Sequence, residues 1–133
     1  MDDRRCLFVY GTLRAAGAGS PAAKVPAARR LAAEASPLGA ARARGRLYHL
    51  GSYPGLVSGG CQDGWVRGEV LRLHRPEQTL AWLDRYEGGE YRRSARYVWL
   101  ADGRRLQCWL YRYVAALPRR GRRIASGDWL ARA

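Results

Sequence analysis

The amino-acid sequence predicts an α+β fold with a mostly antiparallel sheet that can close into a barrel. The predicted elements run strand, helix, several strands, helix and β-hairpin, without the regular alternation typical of a parallel sheet. The chain has 133 residues and no internal repeat. That length suits one hydrophobic core, so residues 1–133 are expected to form a single domain.

The first half of the chain supplies a buried strand and a short helix. Cys6–Tyr10 is an apolar run ended by a glycine, which predicts a strand. Residues 14–24 are rich in Gly, Ala and Ser and predict a loop, whereas 24–34 predicts a helix of modest strength. Residues 38–50 predict a strand with a bend at Gly45.

The second half predicts a strand, a helix and a hairpin. Trp65–Leu73 alternates strongly enough to indicate a strand. Two further runs, 95–100 and 106–114, are joined by Ala101-Asp102-Gly103-Arg104, which is typical of a hairpin turn. The helix between the Trp65–Leu73 strand and the hairpin starts near Pro76, a residue suited to a first turn. It ends at Gly88-Gly89 with a left-handed stop.

Composition excludes several classes of protein. Hydrophobic residues make up 47% and charged residues 26%, as in a globular domain, and no apolar run is long enough to span a membrane. The N-terminus lacks the apolar segment of a secretory signal. Three cysteines, Cys6, Cys61 and Cys108, form no C-x-x-C pair, which argues against a disulfide framework or a zinc site. A reducing, cytoplasmic location is therefore expected.

The net charge of +13 raises the question of a nucleic-acid partner. Lys24 is the only lysine among 24 basic residues, and the arginines are dispersed along the chain. This composition resembles the codon bias of a GC-rich genome and favours solvated surface arginines. Only Arg119, Arg120, Arg122 and Arg123 form a compact group, so an Arg-rich nucleic-acid-binding barrel stays open as an alternative.

Glu87 is a carboxylate on an apolar helical stripe. Leu80, Leu83 and Glu87 fall on one face at helical spacing, and Glu87 belongs to the last turn. Desolvation and the negative end of the helix dipole both raise the pKa of such an acid toward neutrality, where it can accept and return a proton. Alternatively, a frayed last turn turns Glu87 out to water.

The sequence lacks the motifs of several common catalytic and binding sites. The two histidines, His49 and His74, stand at no metal-ligand spacing, and His74 is expected to be structural. The chain has no nucleophile elbow, P-loop or dinucleotide fingerprint. These observations leave carboxylates, backbone amides and tyrosines, with no metal and no cofactor.

The segment Tyr10-Gly11-Thr12-Leu13 follows the first strand directly. Gly11 permits unusual backbone geometry and close approach of a ligand, so successive N–H groups can form a nest for an anion. A simple strand-to-loop turn is the other interpretation of this segment alone.

Five motifs follow one another along the chain. They are Tyr10-Gly11-Thr12-Leu13, Gly45-Arg46-Leu47-Tyr48, Tyr53-Pro54-Gly55-Leu56-Val57, Gly68-Glu69-Val70, and Leu83-Asp84-Arg85-Tyr86-Glu87-Gly88-Gly89-Glu90-Tyr91-Arg92-Arg93. With these motifs in this order, the chain resembles the gamma-glutamylcyclotransferase-like family. The similarity runs from Leu7 to Trp129 and ends on a closing segment, Ser126–Trp129.

The resemblance implies a small, mostly antiparallel β-barrel flanked by short helices, with a cofactor-free reaction on a γ-glutamyl amine or γ-glutamyl amino acid. The α-amine of the substrate would attack its own γ-carbonyl, giving 5-oxoproline and a free amine or amino acid. Glu87 matches the family's catalytic glutamate. Tyr10, Gly11, Thr12 and Leu13 would bind the γ-glutamyl group, chiefly through backbone groups.

The remaining polar residues have weaker or structural assignments. By resemblance, Tyr91 and Tyr111 are candidate substrate contacts, although core packing suits Tyr111 equally well. Glu69 shares a strand face with Leu71 and Leu73, which leaves a substrate contact or an ion pair with an arginine. Among the other polar side chains, Glu90 is expected to be exposed, Asp84 to cap its helix or pair with an arginine, and Arg93 to brace the sheet.

Two alternatives accompany the enzyme hypothesis. One is a family member that binds γ-glutamyl ligands but has drifted in activity, and the other is the nucleic-acid-binding barrel named above. The sequence carries no signal for the oligomeric state or for the group attached to the γ-amide.

Overall fold

The computed structural model describes residues 2–11, 13, 26–51, 53–117 and 121–131, with the side chains of residues 2 and 3 left out. The elements in chain order are β1 (Asp2–Val9), α1 (Pro26–Glu34), β2 (Ala35–His49), β3 (Pro54–Val57), β4 (Gly64–Leu73), α2 (Pro76–Glu87), β5 (Tyr91–Leu100), β6 (Arg105–Tyr113), β7 (Arg122–Arg123) and a final 3₁₀ turn at Trp129–Ala131.

Five of these strands form a closed barrel. The strand order is β3-β2-β4-β1-β6-β5, and an additional pairing between β2 and β5 closes the ring β2-β4-β1-β6-β5. Among the described strands, every pairing is antiparallel except that of β1 with β6. The α+β prediction with a mostly antiparallel barrel is confirmed, and the parallel β1–β6 pair is a feature that the sequence pattern did not indicate.

Strand β2 is the longest of the described elements, with 15 residues, and pairs with four strands, β3, β4, β5 and β7. It begins at Ala35 rather than at residue 38. The predicted bend at Gly45 takes the form of a change of partner, because Ala35–Gly45 pairs with β4 and Arg46–His49 pairs with β3. An irregularity in register lies earlier, between Pro37 and Gly39.

The alternation of β1 divides the hydrophobic core into two parts. Phe8 and Tyr10 belong to a cluster contributed by the barrel strands, whereas Leu7 and Val9 pack with helix residues, including Leu31 of α1. Successive strand residues point to opposite faces, so one apolar run fills the barrel and also supports the helices.

The two helices are joined by a shared carboxylate. Glu34, the last residue of α1, accepts hydrogen bonds from Thr79 Oγ1 and from Trp82 Nε1 of α2. These bonds, first that from Thr79, outweigh desolvation and hold the pKa of Glu34 below its usual value. Beside them, Ser36 Oγ lies 2.7 Å from His74 Nε2, which fits the structural role expected for His74.

Helix α2 follows its predicted bounds. Proline occupies its first turn, and Leu80 and Leu83 are buried. The helix ends at Glu87, but the predicted left-handed stop is wrong in detail. Gly88 has φ 76° and ψ −170°, a positive φ with extended ψ, and its N–H donates to Asp84 O at 3.3 Å. A short turn, in which the Tyr91 amide donates to Gly88 O at 3.4 Å, then leads to β5.

The remaining sequence expectations concern cysteines and membranes. Cys6 and Cys108 are buried and Cys61 is exposed, and all three are free thiols. None of the helices in the described ranges has both the length and the apolar character required to cross a membrane.

The C-terminal segment is anchored to β4 through Gly127. The Arg67 amide donates to Gly127 O at 2.7 Å, and Gly127 has φ +67°. A Cβ atom at this position would lie 1.9 Å from Trp65 O. Both the backbone conformation and the close approach therefore require glycine.

We expect Gly127→Ala to lower the free energy of unfolding by about 3 kcal/mol or more, because strain at a positive φ adds to a clash with backbone. The matched control is Gly103→Ala in the hairpin turn, where φ is +90° and nothing lies within 4 Å of the added Cβ. Its expected cost is about 1 kcal/mol, from conformation alone. Urea unfolding measures both, and equal costs would contradict the packing of the tail against β4.

Candidate active site

A pocket of about 310 Å³ opens where β1 ends. It lies among the segment after β1, the start of β3, the end of α2, and strands β5 and β6. Its described lining consists of Phe8, Val9, Tyr10, Gly11, Leu13, Tyr53, Pro54, Tyr86, Glu87, Glu90, Tyr91 and Tyr111.

Glu87 is the last residue of α2 and lines this pocket. The helix remains regular up to this residue, and the side chain is partly buried, so the frayed-turn alternative is not what the structure has. Within the part of the chain that the structure describes, no hydrogen bond to its carboxylate is found. Burial raises the pKa of Glu87 from 4.5 to about 7. The group can therefore exchange a proton near neutral pH.

The hydroxyl group of Tyr10 has a structural role. It is buried, donates to Tyr111 O and accepts from the Leu56 amide at 3.1 Å. Burial raises the pKa of Tyr10 well above its usual value, so the phenol stays neutral. What the residue offers to the pocket is its ring and the start of the following loop.

Gly11 is explained by packing rather than by unusual backbone geometry. It is not among the glycines with positive φ. A Cβ atom at Gly11 would lie 2.5 Å from Pro54 Cγ, so glycine at this position permits the close approach of Pro54. Gly11 also lines the pocket. Leu13 is buried and also lines the pocket. Thr12 lies outside the described residues.

Both predicted tyrosines line the pocket, and each hydroxyl has a partner. Tyr91 Oη donates to Pro54 O at 2.7 Å, and Tyr111 Oη donates to Asp84 Oδ1 at 2.6 Å. Burial, first among several causes, raises the pKa of both phenols far above the usual value. They remain neutral donors that fix the positions of the β3 start and of α2.

Asp84 stands one turn before Glu87 and has the opposite electrostatic environment. Arg93 of β5 donates to its carboxylate from Nε at 2.9 Å and from Nη2 at 3.2 Å. Desolvation acts against ionisation, but hydrogen bonds from Arg93 and Tyr111 outweigh it and lower the pKa of Asp84. Asp84 thus pairs with an arginine, one of its two expected roles, and Arg93 braces the helix against the sheet.

Several lining residues had no site role in the sequence-based assignment. Tyr53 and Pro54 belong to the Y-P-G-L-V motif. The place of this motif in the order of the five motifs was the sequence signal that could have identified them as site residues. Tyr86 directly precedes Glu87 in α2. Glu90 is exposed as predicted, yet it lines the pocket. Glu69 is partly buried and is not part of the lining.

The basic residues of the nucleic-acid alternative are only partly described. Arg119 and Arg120 lie outside the described residues, and Arg122 and Arg123 form β7 beside β2. Arg123 Nη2 donates to Gln62 O at 3.0 Å, which gives this side chain a structural contact. In the described ranges, no group of three or more His, Cys, Asp or Glu side chains could hold a metal ion.

Comparisons with known proteins give the family. A family model described as "Gamma-glutamyl cyclotransferase, AIG2-like" matches residues 7–131. The gamma-glutamylcyclotransferase family protein YtfP of Escherichia coli K12 is 43% identical over 90 residues, which cover 65% of this chain and 69% of YtfP.

Solved structures agree with the fold. An AIG2-like protein from Mus musculus superposes with a TM-score of 0.67 at 26% identity, covering 86% of this chain and 80% of the mouse chain. YkqA from Bacillus subtilis gives a TM-score of 0.68 at 27% identity, and this chain spans only 39% of its length while 94% of this chain is covered. With its barrel, its pocket and a family match over nearly the whole sequence, the chain belongs to the gamma-glutamyl cyclotransferase, AIG2-like family.

Proposed function

We propose that this protein is a cofactor-free γ-glutamyl cyclotransferase in which Glu87 is the general acid and base. Its substrate would be a small γ-glutamyl amine or γ-glutamyl amino acid, and its products 5-oxoproline and the free amine or amino acid. The observation that carries the proposal is the position of Glu87 in the pocket, with a pKa of about 7, beside the loop that begins at Tyr10.

The proposed reaction is intramolecular, so it depends on the conformation of the bound substrate and requires no second reactant. A bond forms between the α-nitrogen and the γ-carbon of the same molecule, and the γ-amide C–N bond breaks. The nucleophile loses a proton and the leaving nitrogen gains one, so no water is consumed. A pocket that holds the glutamyl chain in a near-attack conformer supplies much of the rate enhancement.

Glu87 suits both proton transfers because one group must act first as base and then as acid. With a pKa near neutrality, both forms of the carboxyl are populated at pH 7. General acid–base catalysis of this kind contributes roughly 10²- to 10⁴-fold. Asp84, held ionised by Arg93, supports the helix and takes no part in the transfer.

The segment from Tyr10 to Leu13 is proposed to bind the γ-glutamyl group through its backbone. The Tyr10 hydroxyl is already paired, so the groups proposed to contact the substrate in this segment are main-chain amides. Such amides can also stabilise the oxyanion that develops on the γ-carbonyl. The rings of Tyr91 and Tyr111 would shape the cavity around the substrate.

Replacing Glu87 by Gln should lower kcat at least about 100-fold, because the amide cannot accept a proton, while the fold is retained. The assay is 5-oxoproline release from a panel of γ-glutamyl amines and amino acids, followed by mass spectrometry.

Glu77→Gln is the matched control, since Glu77 lies exposed in the first turn of the same helix and should leave turnover unchanged. Unchanged turnover in a folded Glu87→Gln protein would exclude the proposed mechanism. Binding of γ-glutamyl compounds without any 5-oxoproline from the parent would instead identify a family member that has lost activity. Binding of RNA or DNA that weakens with salt but ignores Glu87 would favour the nucleic-acid alternative.

The pH dependence of kcat/KM should follow the ionisation of Glu87. Burial favours the protonated acid, and only the carboxylate can accept the substrate's proton. We therefore expect kcat/KM to rise about tenfold per pH unit below pH 7 and to level off above it. A profile without this step between about pH 5 and 8 would contradict the role assigned to Glu87.

The ionisation of Glu87 should lower the stability of the fold as the pH rises, whereas kcat/KM rises over the same range. The folded pKa of Glu87 exceeds the ordinary value of 4.5, so the folded state binds the proton more tightly than the unfolded state. Glu87 therefore contributes a loss of stability as the pH rises from 4.5 through about 7, and the Glu87→Gln variant lacks this contribution. Urea unfolding at pH 4.5 and at pH 7 measures the free energy of unfolding of both proteins. Relative to the parent, the value for Glu87→Gln should rise by about 2–3 kcal/mol between the two pH values. A constant difference would mean that Glu87 is not buried as described.

A further inference from the structure

A second cavity borders α2, and none of its described lining residues belongs to the active-site pocket. Its volume is about 680 Å³, within the range of sites that hold small organic ligands. It lies between the start of β1, the first turns of α2, and strands β5 and β6. We call it the arginine groove, because its lining includes four guanidinium groups, those of Arg4, Arg5, Arg75 and Arg93.

The charge of the arginine groove favours an anionic ligand. The four arginines come from β1, from the residue before α2 and from β5, so only the folded chain brings them together. The described lining also holds two carboxylates, Glu77 and Asp84, and Asp84 is already paired with Arg93. Four positive and two negative charges leave an excess of two positive charges for a ligand to balance.

Two of these guanidinium groups have donors that are not engaged. Arg75 is exposed, and no hydrogen bond or ion pair of its side chain is found among the residues that the structure describes. Arg93 donates to Asp84 from Nε and Nη2, while its Nη1 has no hydrogen-bond partner in the described ranges. Such N–H groups match the paired oxygens of a phosphate or a carboxylate.

The arginine groove also has an apolar part. Leu80 is buried, and the exposed Ala81 and the half-buried Trp109 extend the apolar lining. The guanidinium carbon of Arg93 lies 4.3 Å from the centroid of the Trp109 ring, and this contact helps to hold the guanidinium in place. The combination of positive charge and apolar surface suits an organic anion better than a bare inorganic ion.

The ion pair of Asp84 with Arg93 lies between the arginine groove and the active-site pocket. A third cavity shares both residues with the groove, and it shares Tyr91 and Tyr111 with the pocket. Asp84 also accepts the Tyr111 hydroxyl and stands three residues before Glu87 in α2. A change at Arg93 therefore reaches the helical turn that carries Glu87.

We propose that the arginine groove is a regulatory site for a small organic anion with at least two negative charges, an organic phosphate or a polycarboxylate. Its charged groups bind Arg4, Arg5 and Arg75, and one of them shares Arg93 with Asp84. The added negative charge weakens the hold of Arg93 on Asp84, so the last turn of α2 is less firmly fixed and kcat falls. The effect on kcat rests on the proposed function, whereas the binding site does not.

Calorimetric titration at one ionic strength tests the site with three compounds: pyrophosphate, ADP and citrate. All three are expected to bind, and ADP about fivefold more tightly than pyrophosphate, because its base adds apolar and aromatic contact. Pyrophosphate and citrate separate the two sources of charge, since the tighter of the two assigns the ligand to the phosphates or to the carboxylates.

Arg75→Gln should weaken the binding of ADP by about three- to tenfold, because it removes one charge-assisted contact, and Arg75→Glu should weaken it further. Asp84→Asn should strengthen binding by about two- to fivefold, because it removes the competitor for Arg93. The matched control is Arg85→Gln, which removes the same charge from an exposed position of α2 outside the groove. Its affinity should match that of the parent, and equal losses in the Arg75 and Arg85 variants would overturn the site.

The effect on turnover is measured as 5-oxoproline release with and without saturating ADP. We expect kcat to fall about two- to fivefold while KM for the γ-glutamyl substrate is unchanged, and Arg75→Gln to abolish the effect at the same ADP concentration. A rise in KM alone would place the anion in the active-site pocket, and an unchanged kcat would remove the regulatory link. Either result overturns the proposal.

Failure of the proposed function is distinguishable from failure of this site. If no γ-glutamyl compound yields 5-oxoproline, the proposed function fails, and the titrations of the Arg75, Asp84 and Arg85 variants still decide whether the arginine groove binds anions. If turnover is found but ADP, pyrophosphate and citrate do not bind, the regulatory site is excluded and the proposed function stands.

Discussion

The buried hydroxyl of Tyr10 is the contact on which the geometry of the pocket depends. A phenol in a low-dielectric core needs partners for its proton and its lone pairs. Tyr10 finds them in the Tyr111 carbonyl and the Leu56 amide, which belong to β6 and β3. These bonds fix the end of β1 between two strands and bring Gly11 against Pro54. Pro54 in turn holds the Tyr91 hydroxyl, so one side of the pocket follows from a single paired group.

Helix α2 places two carboxylates three residues apart and gives them different properties. Asp84 receives hydrogen bonds from Arg93 and Tyr111 and stays ionised, while Glu87 has burial as the cause of its raised pKa. The contrast is useful because Asp84 anchors the last turn to the sheet. A titrating group is only effective when its position is fixed, and this anchor holds the turn that carries Glu87.

Much of the fold could be predicted from local patterns. The alternation of β4 and the hairpin, and the periodicity of α2, are consequences of one-sided burial, which the sequence displays directly. Glu87 stood out for the same reason, as an acid on an apolar stripe. The partners of the Tyr10 hydroxyl could not be predicted, since they lie 46 and 101 residues away in sequence and leave no local periodicity. The unusual backbone geometry expected of Gly11 is not found, and its packing against Pro54 left no local signal because Pro54 belongs to another strand.

The parallel pairing of β1 with β6 also has a consequence for how the chain folds. Tyr10 and its acceptor Tyr111 are 101 residues apart in sequence, and the barrel cannot close before both strands are available. Closing so long a loop costs entropy before any contact compensates for it. Such a topology has high contact order, and its folding time is expected on the scale of milliseconds to seconds. Until β6 docks, the apolar face of β1 is open, which makes the interval before closure the period of greatest exposure to aggregation.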